Sequence, residues 1–284
     1  MELFLPREDT QQFDIYAFGE TLIKTEDLDP AYVGLYKAHL PEPQLIRLFV
    51  SYLLFYNLGL AAWLSEQENY WSAVENAAIN VEPSPLGLRW PRGTERRHFR
   101  GDKAVSAVRT LAKSSPESLY APLKKARWLA AVATIVGSWP MCGPWASFKA
   151  ADLLQCVADI PIRFPVDTCL MYKEPRAGLE MLAADACFEA KDRSLESIYR
   201  KLIEHFQQHK TPPSYGRCCG PAECESILCK AHSAVGGFYH IGKDIHEVRH
   251  GLARWGRTAT RLLDAMPKEP RCSLLTPSRT AHSI

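Results

Sequence analysis

Between residues 92 and 101 the chain reads RGTERRHFRG, four arginines and a histidine around a single glutamate. Guanidinium groups present planar forks of N–H donors that match phosphate oxygens, and they stay charged at any working pH. A segment that concentrates Arg92, Arg96, Arg97, His98 and Arg100 therefore suits a phosphorylated ligand or the backbone of a nucleic acid. On a helix, Arg96, Arg97 and Arg100 would cluster through spacings of three and four, with His98 pointing elsewhere. The plainer alternative is a solvated basic loop that contacts ordinary DNA phosphates.

A second concentration of chemistry runs from Trp128 to Thr168. CGPWASFKAADLLQCVAD starts a helix with Pro144 in its first turn, where a missing N–H costs nothing. The turn before it carries Gly143, and a helix N-terminus with outward N–H groups holds a phosphodiester well. After the short proline-bounded crossing PIRFPVDTCL, Asp167 faces the same cleft. A carboxylate there would take a proton or stabilise a developing positive charge, or else cap the helix that follows. Trp90, Phe99, Trp139 and Trp145 are candidates for stacking on a base or for the core. Lys149, on the same helix, reads as a phosphate contact or an exposed residue.

Two further patterns resemble metal sites. HEVRH at 246–250 has the spacing of a zinc peptidase helix, but the chain offers no supporting ligand beyond Glu269. A buried stripe of Ile245, Val248, Leu252 and Trp255, with His250, Arg254, Arg257 and Arg261 on a face toward DNA, accounts for it better. Cys218, Cys219, Cys224 and Cys229 do not have iron–sulfur spacing, and adjacent cysteines serve one cluster poorly. No metal is assigned to either.

The elements that must position these groups are helical. The 284 residues are 46% hydrophobic, enough for a large core, and the formal net charge is only +2. A pI near 8.0 is too mild to announce a nucleic-acid protein by composition, so a polyanion partner rests on local clusters. Nine cysteines without an export signal in MELFLPREDT disfavour a disulfide framework and give the expectation of reduced thiols and a cytoplasmic location. The apolar run Leu48 to Leu64 includes Ser51, Tyr52, Asn57 and Gly59 and reads as buried helix rather than a membrane span.

No period-2 strand stands out, and the expected fold class is all-α. Residues 1–43 read as a loop-rich lead-in and 44–266 as a helical domain, with 267–284 a Pro-, Ser- and Thr-rich disordered tail. Within the domain the pattern gives two helices over Leu45 to Ala78, helices over 104–113 and 118–139, the helix after Gly143, one from Ser194 to His209, and a final helix capped by Asp244.

GPWASFKAADLL followed by PVDTCL resembles the helix-hairpin-helix and aspartate segment of the endonuclease III-like DNA glycosylases, except that Met141 stands where the first hairpin glycine would fall. Lys149 precedes Asp167 by 18 residues, similar to the lysine-to-aspartate separation of glycosylase/lyases. RGTERRHFRG, GPAECESILC and IGKDI resemble the amino acid:DNA transferases, related to the glutamyl- and putrescinyl-thymine pyrophosphorylases of bacteriophage DNA hypermodification.

This second resemblance implies a helix-hairpin-helix DNA glycosylase-like fold that does not excise bases. It implies that an activated 5-hydroxymethyluracil in DNA loses (pyro)phosphate to the amine of an amino acid or polyamine. It implies catalytic roles for Asp167, Glu223 and Arg97, and substrate contacts by Arg92, Arg96, His98, Arg100, Lys149, Cys229 and Asp244. DNA contacts would come from Gly143, Trp145, Arg254 and Arg257. No cofactor is assigned, and a divalent cation with the pyrophosphate stays open. The expected partners are modified DNA and the amine donor, with no membrane, in a host cytoplasm. The rivals are a base-excision glycosylase of the same fold and a non-catalytic DNA-binding module.

Overall fold

The structure is a computed structural model that describes residues 13–79, 84–88, 99–184 and 194–270. Arg92, Arg96, Arg97, His98, Trp90 and the tail beyond Pro270 lie outside the described residues. Fourteen α-helices are present among them, with two isolated β-bridges and no strand. They are α1 (Ile15–Lys24), α2 (Pro30–Lys37), α3 (Glu42–Phe55), α4 (Leu58–Ser65), α5 (Tyr70–Ile79), α6 (Gly101–Leu111), α7 (Pro116–Tyr120), α8 (Leu129–Gly137), α9 (Pro144–Cys156), α10 (Lys173–Ala184), α11 (Leu195–Phe206), α12 (Pro221–Val235), α13 (Lys243–Leu252) and α14 (Arg257–Ala265). The all-α expectation holds. No described helix is long and apolar enough to cross a membrane.

Several boundaries differ from the sequence expectation. The described part of the lead-in is helical: Asp14 caps α1 by accepting from Tyr16 and Ala17 N–H, and Pro30 opens α2 at a position that needs no N–H. Ile15, Leu22, Tyr32 and Leu35 bury their side chains, and this packing outweighs the broken apolar period. The stretch from 45 to 78 holds three helices rather than two. Tyr56 turns left-handed (φ 51°) to end α3, and Asn57 caps α4 through Leu60 N–H at 2.9 Å. Every residue of α4 is buried, which is where the apolar run goes. The final helix is also split, because Arg254 at φ 72° and Gly256 at φ 99° separate α13 from α14.

Two apolar cores result. The larger is built by α2 to α9 with α13 and α14, around Phe55, Leu60, Leu64, Phe148 and Leu154. The smaller is built by α1, α10, α11 and α12, around Leu22, Leu179, Leu202, Phe206 and Ile227. Helix α9 belongs to the first and most of α12 to the second. Their seam is where Lys149, Asp152, Glu223 and Glu225 are buried.

Candidate active site

Helix α9 buries nearly all its faces, and two charged residues, Lys149 and Asp152, are carried in with them at 7% and 3% exposure. Full burial of a charge is tolerated only with partners, which adjoining helices supply. Lys149 Nζ lies 3.6 Å from Asp152 and 3.9 Å from Asp29, ion-pair rather than hydrogen-bond separations. Asp29 sits before Pro30 at the head of α2 but does not cap it, which frees its carboxylate for the seam. It accepts from Ser226 Oγ of α12 at 3.4 Å, beside Glu225, itself buried. Three segments distant in sequence, the head of α2, α9 and α12, thus place one ammonium among three carboxyl groups.

Burial dominates the titration of Asp152 and Glu225. It raises Asp152 to about 6 against the pull of Lys149, and Glu225 to about 7 against the same pull. Burial also pulls the Lys149 ammonium downward, but Asp29, the Tyr56 hydroxyl, Asp152 and Glu225 outweigh it and hold the lysine well above its ordinary range. A charged lysine therefore stands with two carboxyl groups, Asp152 and Glu225, that burial pushes toward neutrality. Tyr32, 2% exposed, has Lys149 over its ring at 6.0 Å, and its hydroxyl has no hydrogen-bond partner among the described residues.

Glu223 lies two residues before Glu225, at the start of α12. One carboxylate oxygen accepts Gly220 N–H at 2.8 Å, the glutamate half of a capping box, and the other accepts from Arg217. Arg217 Nη2 also reaches Cys156 Sγ at 2.9 Å. Asp152, Cys156 and Glu223 bring ligand atoms within 4.8 Å of one another, but the guanidinium already supplies the cation there. Burial and the neighbouring Asp152 hold the Cys156 thiol well above its usual range, so it is not a thiolate nucleophile.

A cavity of about 260 Å³ opens beside the seam, lined by Asp29, Tyr52, Tyr56, Asp244, Glu247 and neighbouring small residues. Asp29 is common to this cavity and to the buried carboxyl group. Asp244 lies inside the first turn of α13 rather than at its cap, and pairs with Lys230 at 2.6 Å. Behind it, fully buried Asp27 accepts Ile245 N–H at 3.2 Å, Gly242 N–H and the Tyr239 hydroxyl. That carboxylate caps α13 from the α1–α2 connection and fixes one wall of the cavity.

The remaining sequence candidates are dispersed. Arg100 is exposed immediately before α6, so the basic segment leads into a helix as expected. Asp167 is exposed at the head of a 3-10 turn, Thr168–Met171, with no side-chain cap bond. That segment approaches the seam through Tyr172, whose hydroxyl burial and Glu225 push up to about 12. Gly143 precedes α9, and Met141 in the same turn adopts φ 63°, the left-handed geometry that glycine favours. Trp145 is half-buried, its ring edge-on to Tyr56 at 4.6 Å. Arg254 and Arg257 are exposed, Cys229 is half-buried, and Phe99 and Trp139 are core residues. Lys149 is not the exposed residue expected, because α9 buries nearly all its faces and Lys149 with them.

Sequence reading missed Asp29, Asp152, Arg217 and Glu225. The available signal was charge inside apolar stretches: KAADLL places an acid three residues after a lysine, and ECESILC sets two acids among Cys224, Ile227, Leu228 and Cys229. Neither has a solvent-facing period. The HEVRH stripe is as expected, with Ile245, Leu252 and Trp255 buried, and His246 pairs with Glu269 at 3.2 Å. All seven described cysteines are unpaired by disulfides.

Residues 21–237 match the family described as amino acid:DNA transferase. A glycinyltransferase of Pseudomonas phage PaMx11 is 35% identical over 285 positions, covering 91% of this chain and 97% of that protein. A putrescinyltransferase of Delftia phage PhiW-14 is 25% identical over 265 positions, covering 88% and 82%. The family match spans the carboxyl seam and the basic segment together, and both relatives are transferases aligned over most of their length. The chain belongs to the amino acid:DNA transferase family and is an enzyme of DNA modification.

Proposed function

We propose that the enzyme joins a small primary amine to the exocyclic methylene carbon of a 5-hydroxymethyluracil in DNA whose hydroxyl has been esterified with phosphate or pyrophosphate. The amine nitrogen attacks that carbon, and the carbon–oxygen bond breaks with its electron pair leaving on the phosphate oxygen. The proton lost by the amine passes to a carboxylate. The observation that carries this reading is Asp29, which lines the open cavity and also faces Lys149 at 3.9 Å in the buried carboxyl group. A protonated amine in the cavity is attracted by Asp29, Asp244 and Glu247. Glu225, at about 7, matches a general base working near neutrality, and Asp29 connects it to the cavity.

The leaving group needs cations that this acidic seam does not offer. Arg92, Arg96, Arg97, His98 and Arg100 supply forked donors for departing phosphate oxygens, with Arg97 as the principal one. Asp167 stands on the segment that leads to Tyr172 and is assigned the cationic charge spreading through the pyrimidine ring. Gly143, Trp145, Arg254 and Arg257 are assigned to the DNA around an extruded nucleotide. The turn between α8 and α9, with Met141 in the left-handed region, supports a helix-hairpin-helix relation. No described helix is suited to a membrane, and the reaction belongs in the cytoplasm of a host cell.

The test incubates the purified protein with DNA containing 5-pyrophosphoryloxymethyl-uracil and either glycine or putrescine, followed by digestion to nucleosides and mass spectrometry. An amine-bearing nucleoside is expected. Free base would establish excision instead, and unchanged nucleosides with retained DNA binding would reduce the protein to a binding module.

A further inference from the structure

A cluster remote from the carboxyl seam in its chemistry joins α1 to α11. Glu20 projects from α1, His205 from the last turn of α11, and His209 from the turn just beyond it. Both imidazoles direct Nε2 at the same carboxylate oxygen, at 2.8 Å from His205 and 3.7 Å from His209. The ligand atoms of all three residues lie within 4.8 Å of one another. Tetrahedral zinc with nitrogen and oxygen ligands at about 2.0–2.2 Å sets its ligand atoms about 3.4 Å apart, a value that the two distances bracket. Two imidazoles and one carboxylate are also the donor set that zinc accepts with water in the fourth position.

The rings are held by more than the carboxylate. Tyr16 packs on the His205 ring at 4.5 Å, and Phe206 stands perpendicular to it at 4.9 Å. The backbone of His209 is fixed at both ends, donating to Phe206 O at 2.9 Å and accepting Cys219 N–H at 3.0 Å. Such ordering of ligands before the metal arrives lowers the cost of binding. All three side chains keep a solvent-exposed portion, so an ion has a route in.

We infer that Glu20, His205 and His209 form a zinc site that clamps α1 onto α11. Both helices pack against α12, which carries Glu223 and Glu225, so the clamp braces the smaller core behind the carboxyl seam. The ion ties the two helices together, and water completes its coordination in the open fourth position. The inference does not depend on the transfer reaction.

The full chain, stripped with chelator, is titrated with zinc chloride by calorimetry and in competition with a chromophoric chelator. One equivalent is expected to bind, and saturating zinc should raise the melting temperature by about 5 °C. His205→Ala, His209→Ala and Glu20→Gln should each weaken binding by about tenfold or more, with His209→Gln as the conservative variant should alanine disturb folding. His246→Ala with His250→Ala controls for the other histidine pair and should leave affinity and stoichiometry unchanged. Absence of stoichiometric binding by the unmodified chain overturns the site, as does full binding by a folded His205→Ala/His209→Ala variant. Base modification in the transfer assay is a separate readout.

Discussion

Glu225 is buried on α12 beside Asp29, Asp152 and Ser226, with Lys149 as its compensating cation, and burial pushes its carboxyl up to about 7. If it accepts the proton of the incoming amine, the transfer rate must rise with pH through about 7 and level above it. Glu225→Gln preserves shape and hydrogen bonding while removing the base. The expected result is a loss of about 10²–10⁴-fold in kcat with the inflection near 7 abolished, read from a pH–rate profile. An unchanged profile would remove Glu225 from the chemistry. Lys149 has the complementary task of making the buried acids tolerable. Replacing it by methionine strands Asp29, Asp152 and Glu225 and should cost about 3–5 kcal/mol at pH 8. The pH dependence has a definite sign. Asp152 and Glu225 have folded values of about 6 and about 7, above those of the unfolded chain, so the folded state holds more protons between. Their favourable contribution is present below the ordinary carboxylate range and is lost as pH rises through 6 and 7. Without Lys149 that loss deepens, so the deficit of Lys149→Met should be clearly smaller at pH 5 than at pH 8 in urea unfolding.

At the scale of elements, the cavity depends on how closely α4 approaches α13. A Cβ on Gly59 would lie 2.3 Å from Gly251 O and 2.4 Å from Trp255 Cδ1, so the helices touch backbone to backbone there. Gly59→Ala forces them apart and should destabilise the protein by about 1–3 kcal/mol, while weakening amine saturation because Gly59 and Gly251 line the cavity. Gly143 is the contrasting case. A Cβ there meets nothing within 4 Å, so Gly143→Ala should change stability by no more than about 1 kcal/mol. Any larger loss of DNA affinity would then come from the contact itself. These close approaches explain what was legible in the sequence. Helices α9 and α11 and the buried stripe of α13 declare themselves by apolar period, and Gly143, Pro144 and the basic segment by residue type. The helices of the lead-in, the break at Tyr56 and the whole of α12 do not, because packing against distant partners decides them. The seam was hidden for the same reason. Asp29 resembles an ordinary helix cap and Asp152 an ordinary surface acid until α2, α9 and α12 enclose them.

Across the whole molecule, a net charge of +2 cannot hold DNA by bulk attraction, so affinity rests on local sets of cations. Arg254 stands exposed on the connection between α13 and α14, and Arg257 is exposed at the start of α14. As phosphate contacts they act on any duplex. Replacing both by alanine should weaken binding to modified and unmodified DNA alike, and should flatten the plot of log affinity against log salt by about one unit per arginine. Arg97 is assigned to the departing phosphate rather than to the backbone. Arg97→Ala should therefore leave the salt plot on unmodified DNA almost unchanged, while lowering kcat by about 10²–10³-fold on the activated base. The two variants together decide how the cations are divided. If Arg97→Ala flattens the salt plot as the Arg254→Ala/Arg257→Ala pair does, and the rate at saturating DNA is preserved, the basic segment is a backbone clamp and the leaving group must be received elsewhere.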